Sequence, residues 1–145
     1  TTGRDILASQ ILGADLVYMG TRFIATSQAN AIDDYKNMIV RSSTNDVIYT
    51  PEFTGVSANF LRNSIEKIGV NPNNVAPHSN KKPNKLWLLY KHWKMKKVKK
   101  WKDLWSAGQG VSAIHEITTV EECIDTLMMQ YEAALEQAEL QKRYI

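Results

Sequence analysis

The sequence predicts an α/β fold, in which helices and strands alternate along the chain. Residues 3–12 predict a helix, because apolar residues recur there on one face and Gly13 suits a C-terminal cap. The four apolar residues Leu16–Met19 follow without alternation, which is typical of a strand buried on both faces of a parallel sheet. A Gly20-Thr21 turn then ends the strand. Helix, short turn, buried strand and turn form one α/β unit, with parallel strands joined by helices.

The next elements are predicted from caps and periodicity. Ser27 can cap a second helix over residues 30–40, whose apolar residues recur at spacings of three and four. Val47–Thr50 is a β-favouring tetrad and predicts a strand. Ser57 predicts the start of a third helix, which stops at Gly69.

The C-terminal half divides into an open loop and a long helix. Residues 69–84 contain five asparagines and three prolines, which predicts an exposed loop or an insertion. A capping box, either Thr118 with Glu121 or Thr119 with Glu122, predicts the start of the last helix. Its apolar residues repeat every three or four positions.

Length and composition favour one globular domain. The chain has 145 residues, 43% of them apolar, with a net charge of +3 and a mean hydropathy of −0.35. These values argue against disorder and against a membrane span. The single cysteine, Cys123, lies on the apolar face of the last helix and is interpreted as a core residue, and a reducing, cytoplasmic location is expected. The chain opens without methionine, so a processed or partial chain is expected.

The positive charge is concentrated in one segment. Lys81–Lys102 carries ten lysines, no acid and interleaved tryptophan and tyrosine, whereas residues 103–145 carry eight acids. Lysines neutralise phosphates and aromatic rings stack on bases, so a nucleic-acid or acidic-partner binding module is one hypothesis. The favoured interpretation is a surface segment with packed tryptophans and solvated lysines, since arginine is absent there.

Two glycine turns could approach a phosphate. Gly20-Thr21 lies where a predicted buried strand ends, the edge at which parallel α/β folds bind ligands, although the local pattern alone favours an ordinary βα turn. Gly108-Gln109-Gly110 offers bare backbone around one amide, but it matches neither a Walker loop nor a Rossmann fingerprint. No metal site is predicted, because the three histidines have no carboxylate or cysteine at ligand spacing (His78, His92 and His115).

Several segments closely resemble the nitronate monooxygenases, formerly called 2-nitropropane dioxygenases. Met-Gly-Thr-Arg-Phe followed at a distance by Ala-Gly-Gln-Gly is the most specific combination. The similar segments are Thr2–Ala8, Leu12–Thr26, Tyr35-Lys36, Tyr49-Thr50, Phe53–Val56, Asn59–Arg62 and Lys100–Val111. The resemblance covers nearly the whole chain outside residues 69–99.

The resemblance implies the C-terminal part of an FMN-binding (β/α)8 TIM barrel with a smaller inserted α/β domain. Residues 1–23 would be the last helix and strand of the barrel. Residues 24–102 would form most of the inserted domain, including the lysine-rich loop. Residues 103–145 would return to the barrel and end in its closing helix.

The resemblance also implies a flavin site. The backbone holding the FMN phosphate would be the turn of Tyr18, Met19, Gly20 and Thr21. A second loop would face the flavin and the substrate, with Gln109 contacting the cofactor and the cavity lined by Ser106, Ala107 and Gly108. The family's catalytic histidine belongs to an earlier strand, and none of this chain's histidines takes its position, so no catalytic residue is assigned.

The activity implied is FMN-dependent oxidation of alkyl nitronates by dioxygen to a carbonyl compound and nitrite. An FMN-dependent enoyl-thioester reductase on the same barrel is the enzyme alternative, because the same turn anchors flavin in both. The expected partners are a small nitronate and dioxygen, and a homo-oligomer is an open alternative. Neither nucleic-acid nor membrane binding is expected.

Overall fold

The structure is a computed structural model that describes residues 1–75 and 100–141. These residues form two compact units, one of residues 1–41 and 110–141 and one of residues 42–75 and 100–109. The helices are α1 (Gly3–Ile11), α2 (Thr21–Ile24), α3 (Asp33–Arg41), α4 (Arg62–Lys67), α5 (Lys100–Asp103) and α6 (Val120–Gln141). The strands are β1 (Val47–Thr50) and β2 (Ala58–Leu61), and single 3-10 turns cover Thr44–Asp46, Pro72–Asn74 and Gln109–Ala113.

Helix α1 confirms the first predicted helix. Thr2 caps it by accepting a hydrogen bond from the Asp5 amide at 3.2 Å, and the Asp5 carboxylate accepts one from the Thr2 amide at 2.8 Å. This reciprocal pair satisfies two amides that the first turn leaves without helical partners. Gly13 follows with a φ of +97°, which only glycine adopts without strain.

The predicted buried strand Leu16–Met19 is absent from the structure. The segment has no regular secondary structure, and Leu16 and Tyr18 are 90% and 98% exposed. A strand buried on both faces needs neighbouring strands on either edge and helices above and below it. The only sheet in the described residues is β1–β2, so the segment has no ladder to join.

Helix α3 begins later than predicted. It starts at Asp33, and the Ser27 hydroxyl donates to Gln28 Oε1 rather than capping a helix, so the predicted role of Ser27 was wrong. The Ser27 carbonyl instead accepts a hydrogen bond from Lys36 Nζ at 3.1 Å. Lys36 is only 5% exposed, and this bond satisfies an amine that burial would otherwise leave unpaired.

Strands β1 and β2 form an antiparallel hairpin. The predicted strand Val47–Thr50 is confirmed, and its ladder runs from Val47 opposite Leu61 to Thr50 opposite Ala58. The helix predicted from Ser57 was wrong in its first turn, because β2 occupies those residues and α4 begins only at Arg62. Pairing with β1 offers the β2 backbone hydrogen bonds that a short isolated helix could not match.

The core of the unit formed by residues 42–109 lies beneath this hairpin. Its buried members are Phe53, Phe60, Ile65, Val75 and Leu104. The two phenylalanine rings meet edge to face, with centroids 5.3 Å apart and an interplanar angle of 76°. Aromatic pairs favour this arrangement because a positive ring edge meets a negative ring face.

Helix α6 is the longest of the described elements, and it packs against α1. Thr119 caps it as one of the two predicted capping boxes: its hydroxyl accepts from the Glu122 amide at 3.1 Å, and Glu122 Oε2 accepts from the Thr119 amide at 2.8 Å. The prediction that Cys123 is a core residue is also confirmed, since its side chain is fully buried. Along the two helices runs an apolar groove of about 590 Å³, lined by Ile6, Ile124, Leu127, Met128, Tyr131, Glu132 and Leu135.

Candidate functional site

The turn predicted to hold a phosphate is an exposed stretch of backbone leading into α2. Tyr18 and Gly20 are exposed, whereas Met19 and Thr21 are half-buried. The Gly20 carbonyl accepts hydrogen bonds from the amides of Phe23 at 3.1 Å and Ile24 at 3.2 Å. These bonds hold the Gly20 carbonyl toward the helix.

Gly20 has no structural requirement to be glycine in this unit. Its φ of −98° and ψ of −64° lie in a region open to every L-residue. A Cβ at this position would meet no atom within 4 Å. Neither backbone strain nor packing therefore selects glycine here, and the open backbone leaves room for a ligand to come close.

The chain beyond the turn is tied to the segment before α6. Arg22 Nη1 donates a hydrogen bond to the Ala113 carbonyl at 3.1 Å, which links the start of α2 to the segment before α6. Thr26 pairs with Thr118 in an isolated parallel bridge, and the Ser27 amide donates to the Thr118 carbonyl at 2.8 Å. These contacts hold the C-terminal side of α2 within its unit.

The second predicted loop starts from an anchored tryptophan. The Trp105 carbonyl accepts from the Leu61 amide at 2.8 Å, and the Trp105 amide donates to Ser64 Oγ at 3.1 Å. Lys67 Nζ also lies 4.7 Å from the centre of the Trp105 ring, a cation–π distance. The loop therefore leaves the core of its unit in a fixed direction.

The four loop residues assigned to the flavin and substrate differ in exposure. Ser106 and Gln109 are exposed, Gly108 is half-buried, and Ala107 is 4% exposed. The Ala107 methyl thus packs inside its unit, leaving the other three residues as the open part of the loop. The turn and this loop belong to different compact units.

Two residues that the sequence did not single out for the site contact Gln109. Thr44 Oγ1 donates to the Gln109 carbonyl at 2.7 Å, and Asn59 Nδ2 donates to Gln109 Oε1 at 3.1 Å. Both lie 50 or more residues from Gln109 in sequence, so no spacing rule links them. The only available signal is that Asn59 falls in one of the segments that carry the family resemblance.

The remaining candidate groups do not assemble into a site. His115 is exposed, and no three His, Cys, Asp or Glu side chains gather as metal ligands in the part of the chain that the structure describes. The predictions on His78, on His92 and on all but the last three residues of Lys81–Lys102 lie outside the described residues. No described helix has both the length and the hydropathy to cross a bilayer.

The fold matches part of two larger solved structures. A point mutant of FabK from Thermotoga maritima aligns with 99% of this chain and 42% of its own length, at a TM-score of 0.66 and 24% identity. FabK from the same organism aligns with 99% of this chain and 44% of its own, at a TM-score of 0.63 and 26% identity. The chain thus corresponds to less than half of either structure.

The sequence comparisons identify the family. The model of the nitronate monooxygenase family matches residues 1–130, and the chain belongs to that family. A Staphylococcus haemolyticus protein named "Probable nitronate monooxygenase" is 40% identical over 77 residues, which are 52% of this chain and 22% of that protein. A Staphylococcus aureus protein of the same name is 38% identical over 61 residues, 42% of this chain and 17% of that protein. The matched segments are thus about a fifth of the length of these curated relatives.

Proposed function

We propose that this chain is the C-terminal part of an FMN-dependent oxidoreductase that oxidises alkyl nitronates with dioxygen to a carbonyl compound and nitrite. Membership of the nitronate monooxygenase family supports the reaction class. The coverage of the FabK structures supports a position within a larger (β/α)8 barrel protein. The proposed boundaries remain 1–23 and 103–145 for the barrel and 24–102 for the inserted domain.

The open backbone at Gly20 is the observation that carries the proposal. A glycine that neither φ nor packing requires is explained by a ligand that approaches the main chain more closely than a Cβ would allow. The turn offers peptide N–H groups together with the hydroxyls of Tyr18 and Thr21, and such donors bind phosphate oxygens. The turn therefore fits the phosphate end of FMN.

The other proposed assignments come from the family resemblance. In the proposal Tyr18, Met19, Gly20 and Thr21 hold the phosphate and Gln109 contacts the flavin ring. Ser106, Ala107 and Gly108 border the substrate cavity, with Ala107 contributing backbone because its methyl is buried. FMN, when bound, supplies the electron-transfer chemistry, while the protein binds, orients and shields it. No residue of this chain is assigned a catalytic proton transfer.

Substitution of Gly20 tests the cofactor site. In the full-length protein, Gly20→Ala should leave the unfolding midpoint of the apoprotein unchanged, because the new methyl meets no atom. The dissociation constant for FMN, measured by titrating apoprotein and following flavin fluorescence, should rise about tenfold, equivalent to the loss of about 1.4 kcal/mol. Wild-type protein that binds no FMN would refute the cofactor assignment, and Gly20→Ala protein that binds FMN as tightly as wild type would refute the site.

The second candidate is an FMN-dependent enoyl-thioester reductase, which the structural likeness to FabK favours. The phosphate turn cannot separate the two reactions, because both need the same anchor. Purified holoprotein given an alkyl nitronate under air should release nitrite without consuming NADH. Oxidation of NADH that depends on an enoyl thioester, with no nitrite from nitronates, would instead establish the reductase.

A further inference from the structure

Asn59 forms a side-chain pair with Gln109. It lies on β2 opposite Tyr49 of β1 and beside Phe60, whose ring is buried in the core. Because side chains alternate along a strand, Asn59 points to the face of the hairpin opposite Phe60. There its Nδ2 donates to Gln109 Oε1 at 3.1 Å.

Burial fixes which end of the Asn59 amide faces Gln109. Asn59 Oδ1 is buried and has no hydrogen-bond partner among residues 1–75 and 100–141. Rotating the amide by 180° would bury the two N–H donors of Nδ2 in the same place. Buried N–H groups without partners are rarer in proteins than under-satisfied carbonyl oxygens. The carbonyl therefore stays inside, and Asn59 acts as a donor to Gln109.

Because Asn59 is the donor in this hydrogen bond, the Gln109 side chain presents its N–H groups, rather than its oxygen, to its surroundings. Its Oε1 accepts from Asn59, so its Nε2 group, which carries two donors, is turned away from the hairpin. The Thr44 hydroxyl holds the Gln109 carbonyl at 2.7 Å, which limits movement of the main chain. The Gln109 side chain is exposed, so its outward donors are accessible to a ligand.

We propose that Asn59 is a positioning residue that fixes the amide of Gln109 as a hydrogen-bond donor toward an acceptor atom of the flavin ring. The inference rests on the proposed function, since it specifies that Gln109 is the hydrogen-bond donor in its contact with FMN. Asn59 does not touch the cofactor: it acts through Gln109, by holding an exposed amide in one of its two orientations.

A double-mutant cycle in the full-length apoprotein tests this role. Gln109→Leu should raise the dissociation constant for FMN about fivefold and Asn59→Leu about threefold, within the range expected for one hydrogen bond. The double variant should remain near fivefold, because Asn59 has no effect once Gln109 is gone. Asn63→Leu, at an exposed asparagine on α4, is the matched control and should bind FMN as wild type does.

Asn59→Asp supplies a second test that preserves side-chain shape. A carboxylate cannot donate, so the Gln109 amide should rotate to donate to Asp and turn its oxygen toward the flavin. FMN binding should then weaken about tenfold while the protein remains folded, as followed by far-UV circular dichroism of the apoprotein.

The results separate the inference from the proposed function. Wild-type protein that takes up no FMN would overturn both. Wild-type protein that binds FMN, with Asn59→Asp and Asn59→Leu binding within twofold of it, would overturn the role of Asn59 alone. A double variant weakened about fifteenfold would also overturn it, since independent effects multiply.

Discussion

Ionisation of Glu122 makes the stability of the first turn of α6 depend on pH. Hydrogen bonds from the Thr119 amide, and then from its hydroxyl, lower the pKa of the Glu122 carboxyl below its ordinary value. A lowered carboxyl pKa means that the folded state favours the ionised form. The resulting stabilisation is fully present above the ordinary pKa of a glutamate and is lost as pH falls through the lowered pKa.

We therefore expect the melting temperature to fall between pH 5 and pH 3 more steeply in wild type than in Glu122→Gln. The glutamine keeps an oxygen that can accept from Thr119 but does not titrate, so it is a matched control. Thermal melting followed by circular dichroism at each pH measures the difference. If the melting temperatures of the two proteins fell in parallel with pH, ionisation of the Glu122 carboxyl would not contribute to the pH dependence of stability.

Residue-level predictions succeeded where the interaction is local. Thr119 and Glu122 are three residues apart, and such a capping box can be read from sequence because a helix start always has the same unsatisfied amides. The pair of Asn59 and Gln109 could not be predicted, since it depends on a hairpin that brings residues 50 positions apart together. The sequence alone indicates the candidate turn at Gly20, whereas the absence of any atom near a Cβ at Gly20 depends on the three-dimensional packing around it.

At the scale of elements, α1 and α6 approach each other through Gly3. A Cβ on Gly3 would overlap the Leu127 carbonyl and the Tyr131 amide of α6, both of which are backbone atoms that cannot move aside. The Gly3 amide also donates to Gln130 Oε1 at 3.0 Å. The crossing of the two helices therefore depends on the absence of a side chain at this position.

Gly3→Ala should lower the free energy of unfolding by about 2 kcal/mol, the usual cost of overpacking a close contact. Urea unfolding of the full-length protein measures this change. Gly20→Ala is the control in the same unit and should unfold as wild type does, because its methyl meets no atom. Equal stability of Gly3→Ala and wild type would mean that the helices do not pack this closely.

The errors among the elements share one physical cause. Residues 57–61 offer a possible helix cap at Ser57 and apolar residues that a helix could also bury, but pairing with β1 makes residues 58–61 the strand β2. Leu16–Met19 has the composition of a buried strand and no partner in the described residues. Helices α1 and α6 were predicted correctly because a helix makes its backbone hydrogen bonds within itself.

At the scale of the whole molecule, the segment Leu16–Met19 should behave differently in the 145-residue chain and in the full-length protein. The chain covers 42% of a FabK mutant structure, and in the proposed barrel the strands that flank this segment would come from outside the chain. In the 145-residue chain alone, its amides should exchange with deuterium within seconds. In the full-length protein, the same amides should be protected at least a hundredfold, because a central strand donates its N–H groups to a ladder.

Hydrogen exchange followed by mass spectrometry of peptides covering residues 14–20 measures this difference. Peptides from α6 serve as the internal reference, since that helix makes its own hydrogen bonds in either context. Rapid exchange of residues 14–20 in the full-length protein would contradict the assignment of this segment as the last barrel strand.

The division of the chain into units has a consequence for synthesis on the ribosome. The unit of residues 42–109 is continuous, so it can fold as soon as it has emerged. The other unit joins residues 1–41 to residues from 110 onward, and α1 emerges well before α6, the helix against which it packs. The apolar face of α1 therefore stays without this partner throughout translation of the intervening residues. During that interval its exposed apolar surface is prone to aggregation and is a target for chaperones.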